Sequence, residues 1–298
     1  MPKPITALVA GATGRQGGAV ARLLLERGHR VRALTRRPTS QAAAELHLLG
    51  ADIVEADLQD RTAVARAAEG TDAFFLVTTP LEQGIEAELR QGRRAGEGAR
   101  DAGVKHLVFS SVASADRDTG VPFFESKRAI ETYLDELGVP FTIVAPTFLM
   151  ENLLLPPSLA SLRAGVLSLP LPPRRRLQMI PLSDLAGFVR LVIERPAALR
   201  GARVELASDE LDGEEAAHAL ARGTRSAIGY SETPPEAVRS QGESFLRMWE
   251  WASRVGHGAD LAALRRDHPE VGWHSFAEWV AARDWSDLDV ASPEQPTA

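Results

Sequence analysis

The residues with the clearest chemical potential follow a short apolar run, Ile5 to Ala10. They form a glycine-rich turn with the spacing G-x-x-G-x-x-G, and a helix-like pattern begins directly after it. Glycine lets the backbone approach phosphate oxygens closely, and a helix N-terminus offers unpaired N–H groups and a positive dipole end. The turn is therefore predicted to bind the pyrophosphate of a dinucleotide such as NAD(P). The predicted binding residues are Gly11, Thr13, Gly14, Arg15, Gln16 and Gly17.

Two arginines determine which dinucleotide the sequence favours. The next strand pattern, His29 to Leu34, leads into Thr35 and then Arg36 and Arg37. An NAD site usually places an acidic residue there, which accepts a hydrogen bond from the ribose 2′-hydroxyl. Guanidinium groups instead pair with a 2′-phosphate. The sequence thus predicts that NADPH is preferred over NADH, unless both arginines are only solvated loop charges.

The elements that must position these residues alternate between strand and helix patterns. Repeated βα units predict an α/β fold with a doubly wound parallel sheet, whose ligands lie at the carboxyl ends of the strands. Asp57 is a candidate to accept from the adenine amino group, or else to cap the following helix with Gln59 and Asp60. Strands are predicted at 5–10, 29–34, 53–57, 73–78, 106–112 and 141–145, and helices after the glycine turn, at 84–102 and at 123–137. Further cofactor candidates at strand ends are Thr78, Thr79, Ser110 and Pro146.

The pattern changes after Pro146, where proline-rich stretches break regular structure. A capped amphipathic helix is predicted from Ser183, and the chain is mainly helical from about residue 212. We predict a nucleotide-binding domain at 1–150, a smaller, mainly helical C-terminal lobe at 151–290 and a disordered tail at 291–298. The sheet of the nucleotide-binding domain could also recruit a strand near 203–208. The tryptophans of this half are expected to pack in its core, with one near a pocket: Trp249, Trp251, Trp273, Trp279 and Trp285.

Composition narrows the classes of protein. The 298 residues are 44% hydrophobic, which is enough for a large core, and the net charge of −6 argues against nucleic acid as a main partner. The chain has no cysteine, so disulfides, thiol chemistry and thiolate metal sites are excluded, and we predict no metal site. No apolar run approaches the roughly 20 residues of a membrane span. We therefore expect a cytoplasmic protein that does not enter a membrane.

Four stretches carry a family resemblance. Residues 11–18, 35–38, 104–111 and 148–153 resemble the NmrA-like family of atypical short-chain dehydrogenase/reductases, and the likeness extends to the helix at 276–279. The resemblance implies a Rossmann domain that binds NADP(H) and a small C-terminal lobe. It also implies a choice of activities, because the family includes quinone reductases and redox sensors without demonstrated turnover.

The chain departs from the wider superfamily at the reductase motif Tyr-x-x-x-Lys. Phe123 stands where the proton-donating tyrosine is expected, while Lys127 is retained. Lys127 shares a helix stripe with Phe123, Ile130 and Leu134, so it is predicted to face the sheet and to bind the nicotinamide ribose as the catalytic residue. The alternative is a lysine that snorkels to the surface. Val112 takes the place of the catalytic serine, and the predicted substrate pocket comprises Ser111, Phe123, Phe148 and Asn152.

The missing tyrosine shapes the functional hypothesis. Reduction of a simple ketone produces a strongly basic alkoxide, whereas a quinone gives a phenolate-like anion whose conjugate acid has a pKa of roughly 10. We therefore expect NADPH-dependent reduction of a quinone or a similar conjugated acceptor. The alternative is a non-catalytic NADP(H) sensor that acts on a regulatory protein partner. A third hypothesis, reduction of a phenylpropanoid-like substrate with Lys127 as base, is weaker.

The oligomeric state is a separate question. Helix 84–102 could either form a homodimer or face the sheet.

Overall fold

The structure, a computed structural model, describes residues 4–286 and 288. The tail predicted at 291–298 lies outside the described residues. The strands, in chain order, are β1 (Thr6–Val9), β2 (Arg30–Thr35), β3 (Asp52–Glu55), β4 (Ala73–Val77), β5 (His106–Ser110), β6 (Phe141–Pro146), β7 (Phe148–Leu149), β8 (Val166–Leu169), β9 (Leu177–Ile180), β10 (Arg203–Leu206), β11 (Asp209–Leu211) and β12 (Gly229–Glu232).

The helices complete the element list. In chain order they are α1 (Arg15–Glu26), α2 (Gln41–Leu48), α3 (Arg61–Ala68), α4 (Ile85–Asp101), α5 (Pro122–Leu137), α6 (Pro156–Arg163), α7 (Leu182–Glu194), α8 (Pro196–Leu199), α9 (Gly213–Thr224), α10 (Pro235–Arg239), α11 (Glu243–Arg254), α12 (Leu261–Asp267) and α13 (Phe276–Ala281). Short 3₁₀ helices lie at Met150–Leu154 and Pro269–Val271. Within the described residues, no helix combines the length and the apolar character that membrane crossing requires.

The chain forms two compact units that alternate along the sequence. The first unit comprises residues 4–146 together with Leu182–Leu206 and Ala262–Gly272. The second comprises Thr147–Pro181, Ala207–Leu261 and the described residues from 273 onward. The sequence predicted a boundary near residue 150, with a strand near 203–208 recruited to the sheet. β10 pairs with β6, and α7 packs against α1, β5 and β6, so these later parts of the chain belong to the first unit.

The first unit is built on a seven-stranded sheet with the order β10-β6-β5-β4-β1-β2-β3. All of its strand pairs are parallel. The predicted doubly wound Rossmann-type α/β fold is confirmed. Strand order reverses between β1 and β4, which is the position where open α/β sheets form a ligand crevice. The strand expected near 203–208 is β10, which pairs with β6 in the register Val204 to Val144.

Burial on both faces explains the composition of the central strands. Phe74 and Phe75 of β4 and Leu107 and Phe109 of β5 are all fully buried, as near-continuous apolar runs in parallel sheets require. Strand β5 ends at Ser110 rather than continuing to Val112 as predicted, and the chain then turns through Ser114 in a left-handed conformation, with φ +65°.

Helix α4 lies between α3 and α5 and contacts both. A Cβ added at Gly92 would lie 2.6 Å from the Ile130 side chain, and one at Gly98 would lie 2.8 Å from the Arg61 carbonyl oxygen. Glycine is therefore needed for this close approach. The helix thus buries its small residues within the first unit, and the homodimer suggested for it stays a prediction.

The second unit combines helices with two small sheets. The order of the three-stranded sheet is β11-β9-β7, and β12 pairs with β8 in parallel. Helix α13 packs against α9, where a Cβ at Gly223 would lie 2.3 Å from Val280. Trp279 of α13 stacks on Phe276, so its ring is core packing as the sequence suggested.

Candidate functional site

The glycine turn between β1 and α1 leaves the N-terminus of α1 without a side-chain cap. Gly11 adopts φ +59°, and the Gly14 N–H donates to its carbonyl at 2.8 Å, which closes the turn. Gly14 precedes α1 without a side-chain capping bond, and the first turn of α1 carries no acidic residue. The start of α1 therefore has neither a side-chain cap nor an acidic side chain against its positive dipole end, which suits an anion site.

The three glycines of the motif have separate roles. A Cβ at Gly17 would lie 2.3 Å from the Gly11 oxygen and 2.4 Å from the Ala10 oxygen, so Gly17 lets the helix start directly on the strand. A Cβ at Gly14 would meet only the Gly11 oxygen, at 3.2 Å, and Gly14 is exposed. Gly11 supplies the turn, Gly17 the packing, and Gly14 the open backbone surface. This cradle fits a pyrophosphate group.

Side chains from other strand ends reach this turn. The Ser110 hydroxyl at the end of β5 donates to Gln16 Oε1 at 2.7 Å. The hydroxyls of Thr13 and Thr35 are 3.4 Å apart, which connects the turn to the end of β2. Arg15 is exposed at the first position of α1. Because the carboxyl ends of parallel strands share one edge, residues far apart in sequence meet here.

Lys127 is buried at this edge and its ammonium group has protein partners. Its Nζ lies 3.0 Å from Glu88 Oε1 and donates to the Thr78 carbonyl at 2.8 Å and the Thr78 hydroxyl at 3.0 Å. A longer contact of 3.4 Å reaches the Ser110 carbonyl. The sequence suggested a ribose hydroxyl as the partner, or a snorkelling surface position. In the structure the lysine is buried rather than snorkelling, and it joins the ends of β4 and β5 to α4, while its contact with a ribose hydroxyl stays a prediction.

Glu88 is the residue that sequence reasoning missed. It is fully buried on α4, and its second oxygen accepts from the Ser126 hydroxyl at 2.5 Å. The Thr78 hydroxyl donates to its first oxygen at 3.1 Å. A buried charge is costly unless it is paired and hydrogen-bonded, and both conditions are met. One signal was present in the sequence: a carboxylate on the small-residue stripe of α4, which needs a buried partner.

A second charged network holds the loop that follows β5. The Ser111 hydroxyl donates to Glu131 of α5, and Arg203 of β10 pairs with the same carboxylate at 3.1 Å. Arg203 also donates to the Val112 carbonyl at 2.9 Å. The carboxylate of Glu205 accepts from the N–H of Ser114 at 2.5 Å. These contacts fix residues 111–114, and Phe123 is half-buried beyond them in the first turn of α5.

Arg36, predicted to meet a 2′-phosphate, forms an ion pair with Glu82 in the loop after β4. Arg37 is exposed, and its backbone N–H donates to the Thr35 hydroxyl at 3.1 Å. The carboxylate absent from the end of β2 in the sequence therefore arrives from another loop, which the spacing of residues could not indicate.

The remaining predicted cofactor residues make local turns. Asp57 accepts from the Gln59 N–H at 2.8 Å, which forms a local turn. The residue that caps α3 is Asp60 and not Asp57. The Thr79 hydroxyl accepts from the Leu81 N–H at 3.2 Å. The Pro146 carbonyl accepts from the Ala113 N–H at 3.0 Å. Each residue thus shapes a loop at the carboxyl edge.

Two predicted pocket residues belong to the second unit. The ring of Phe148 in β7 lies 6.1 Å from that of Trp249 in α11, in a tilted arrangement. Asn152 lies in the 3₁₀ helix next to Glu151, whose carboxylate accepts from the Trp279 indole N–H at 3.0 Å. Ser111 and Phe123 belong to the first unit, so a single pocket formed by all four residues stays a prediction.

Comparison with known proteins agrees with the Rossmann-type fold. The NmrA-like family matches residues 4–280. This chain belongs to the NmrA-like family. An NmrA-like family domain-containing oxidoreductase, FrzB from a Cladobotryum species, is 37% identical over 49% of this chain and 47% of its own length. The chain thus spans about half of that relative.

Two solved structures share the fold across nearly the whole chain. An NADPH-dependent quinone oxidoreductase from Escherichia coli, complexed with NADPH, has a TM-score of 0.78 at 24% identity, covering 93% of this chain and 99% of that one. NmrA, a negative transcriptional regulator in complex with NADP, has a TM-score of 0.75 at 21% identity and covers 93% and 94%. The same fold therefore serves proteins described as an enzyme and as a regulator.

Proposed function

We propose that this chain binds NADP(H) where the carboxyl ends of β1, β2, β4 and β5 meet. The uncapped start of α1 and the exposed Gly14 support pyrophosphate binding, and the exposed arginines after β2 support a 2′-phosphate. Family membership and the NADP(H) complexes of two structural neighbours agree with this assignment. The proposed cofactor residues are Gly11, Thr13, Gly14, Arg15, Gln16, Gly17, Arg36, Arg37, Asp57, Thr78, Thr79, Ser110, Lys127 and Pro146.

The proposed reaction is hydride transfer to a quinone or a similar conjugated acceptor. Bound NADPH would supply the hydride, which carries two electrons, so the acceptor becomes a hydroquinone monoanion that then takes one proton from water. This choice of acceptor rests on one observation: neither residue at the Tyr-x-x-x-Lys positions is placed to donate a proton to the substrate. Phe123 has no exchangeable proton, and the Lys127 ammonium already donates to Glu88 and Thr78.

The neighbouring hydroxyl groups also donate their protons to other side chains. Ser110 donates to Gln16, and Ser111 donates to Glu131. A strongly basic alkoxide would need an acid that none of these groups offers. A hydroquinone anion, with a conjugate-acid pKa of roughly 10, can leave the site without one. The role we assign to Lys127 is to hold the ends of β4 and β5 in place beside the nicotinamide ribose and to offset developing negative charge.

The second candidate is a sensor that binds NADP(H) without turnover. The Lys127–Glu88 pair favours it in one respect, because a neutral pair stabilises a product anion less than a lone ammonium group does. A regulator would need only the nucleotide site and a protein partner. The two proposals differ in what the protein needs besides NADP(H): a reductase needs an electron acceptor, whereas a sensor needs a protein partner.

Steady-state NADPH oxidation with a panel of quinones and simple ketones, next to calorimetric NADPH binding, tests the proposal. We expect turnover with quinones and little with ketones. Gly14→Val should abolish nucleotide binding while circular dichroism shows a folded protein, because a larger side chain blocks the open turn. Tight binding with no turnover on any acceptor supports the sensor, and efficient ketone reduction contradicts the argument from Phe123.

A further inference from the structure

A carboxylate from the loop after β4 meets the arginine that follows β2. Glu82 pairs with Arg36, and the side chains of the two residues are 49% and 41% exposed. Strand β1 lies between β2 and β4 in the sheet, so the pair joins the loops on either side of the glycine turn. The pair therefore lies at the sheet edge where the 2′ position of the adenosine ribose would bind.

The loop that carries Glu82 is fastened at a second point. Gln59 Nε2, in the loop after β3, donates to Gln83 Oε1 at 2.9 Å. The loop closes on itself through the Gly84 N–H, which donates to the Pro80 carbonyl at 2.8 Å. Gly84 then takes φ +83° immediately before α4. Two neighbouring side chains of one short loop thus reach the loops that follow β2 and β3, and the Glu82 carboxylate is brought beside Arg36.

Glu82 places a carboxylate where a site for NAD(H) needs one, although the end of β2 itself carries no acidic residue. A site for NAD(H) uses a carboxylate to accept from the ribose 2′-hydroxyl, and a site for NADP(H) uses a guanidinium group to pair with the 2′-phosphate. Here both groups are present and already adjacent. The same carboxylate that can accept from a hydroxyl repels a phosphate, and it also competes with that phosphate for Arg36.

We propose that Glu82 is a specificity-determining residue that favours the ribose 2′-hydroxyl of NAD(H) and disfavours the 2′-phosphate of NADP(H). This inference rests on the proposed nucleotide site. It corrects the reasoning from Arg36 and Arg37 alone, since an arginine neutralised by a nearby carboxylate attracts a phosphate less than a free arginine does. The unmodified protein therefore discriminates less between NADPH and NADH than its two arginines imply.

Isothermal titration calorimetry of the full chain with NADPH and NADH tests this inference. In Glu82→Gln, we expect NADPH to bind about fivefold more tightly, because an exposed charge a few ångströms from a phosphate contributes on the order of one kcal/mol in water. NADH should bind more weakly, so the ratio of the two dissociation constants shifts by about tenfold. Adenosine 2′,5′-bisphosphate and 5′-AMP should repeat the shift, because they carry only the adenosine end.

Glu86→Gln is the matched control, since Glu86 is an exposed carboxylate on α4 that lies near Arg90 instead, at 3.8 Å. Glu82→Ala should shift the ratio in the same direction as Glu82→Gln, which keeps the test decisive if Glu82→Gln folds poorly by circular dichroism. If the unmodified protein binds neither nucleotide, the proposed function fails. If it binds them and the ratio in Glu82→Gln equals that in Glu86→Gln, the role of Glu82 is overturned while the nucleotide site stands.

Discussion

Two ion pairs at the same edge of the sheet differ in burial, and that difference separates their roles. The Lys127–Glu88 side chains are 10% and 0% exposed, whereas those of Arg36 and Glu82 are 41% and 49% exposed. The buried pair is surrounded by further hydrogen bonds from Thr78 and Ser126. Charges in a dry interior cannot exchange partners cheaply, while charges in water can. The first pair is therefore a fixed part of the fold, and the second is exposed to solvent, as our proposal for ligand binding requires.

Removing one partner of the buried pair should have the largest effect. Lys127→Met leaves the carboxylate of Glu88 buried without its counter-charge, so we expect a loss of about 3–5 kcal/mol in the free energy of unfolding. Urea denaturation measures it. Lys105→Met is the control, because Lys105 forms an exposed pair with Asp72 at 2.6 Å, and its loss should cost less than about 1 kcal/mol. Adding Glu88→Leu to Lys127→Met should restore part of the stability. Equal effects of the two lysine variants would contradict the comparison.

His106 extends the comparison to a buried group without a counter-charge, at the start of β5. Burial, assisted by Arg200, lowers the pKa of His106 to about 4 from 6.5. Its Nε2 lies 2.9 Å from the Thr142 hydroxyl, which itself donates to the Leu199 carbonyl, so Nε2 is the donor in this contact. Nδ1 has no hydrogen-bond partner among the described residues. Protonation would thus add an uncompensated charge.

The sign of the pH effect follows from that lowered pKa. The unfolded chain protonates His106 near pH 6.5 and the folded chain only near pH 4, so acid favours unfolding between these values. We expect this histidine to remove about 3 kcal/mol of stability as the pH falls from 6.5 to 4. Urea denaturation of the unmodified protein and of His106→Leu across this range isolates the contribution. Parallel pH profiles for the two proteins would rule it out.

The exposed pair should have the smallest effect on stability. Glu82→Gln and Arg36→Gln are each expected to change the free energy of unfolding by less than about 1 kcal/mol, because water screens the pair. Raising the salt concentration from about 0.01 M to about 1 M should remove even this difference, since the Debye length falls from about 30 Å to about 3 Å. Thermal melts of both variants without nucleotide provide the measurement. A loss comparable to that of Lys127→Met would show that Arg36 and Glu82 are structural.

The sequence predicted the fold well because strand and helix patterns are local. Alternating apolar runs and glycine turns indicated the parallel sheet, and parallel strand ends share an edge, so Thr78, Ser110 and Lys127 were expected close together. Their partners were not predictable in this way. Glu88, Glu82 and Arg203 lie on other elements, and nothing in their local sequence states which buried or exposed charge they meet. The predicted boundary at 150 was drawn where the pattern changes, whereas packing depends on which later helices cover the sheet.

The return of the chain to the first unit has a consequence for its synthesis. Strand β6 is complete at Pro146, but its neighbour β10 begins at Arg203, after a long excursion into the second unit. At a ribosomal rate of about 5–20 residues per second, the edge of β6 waits roughly 3–12 s for its partner. During that interval an unpaired strand edge can template aggregation. A shortened chain that stops at residue 150 would keep this edge permanently exposed, so expression of residues 1–150 alone should give insoluble protein.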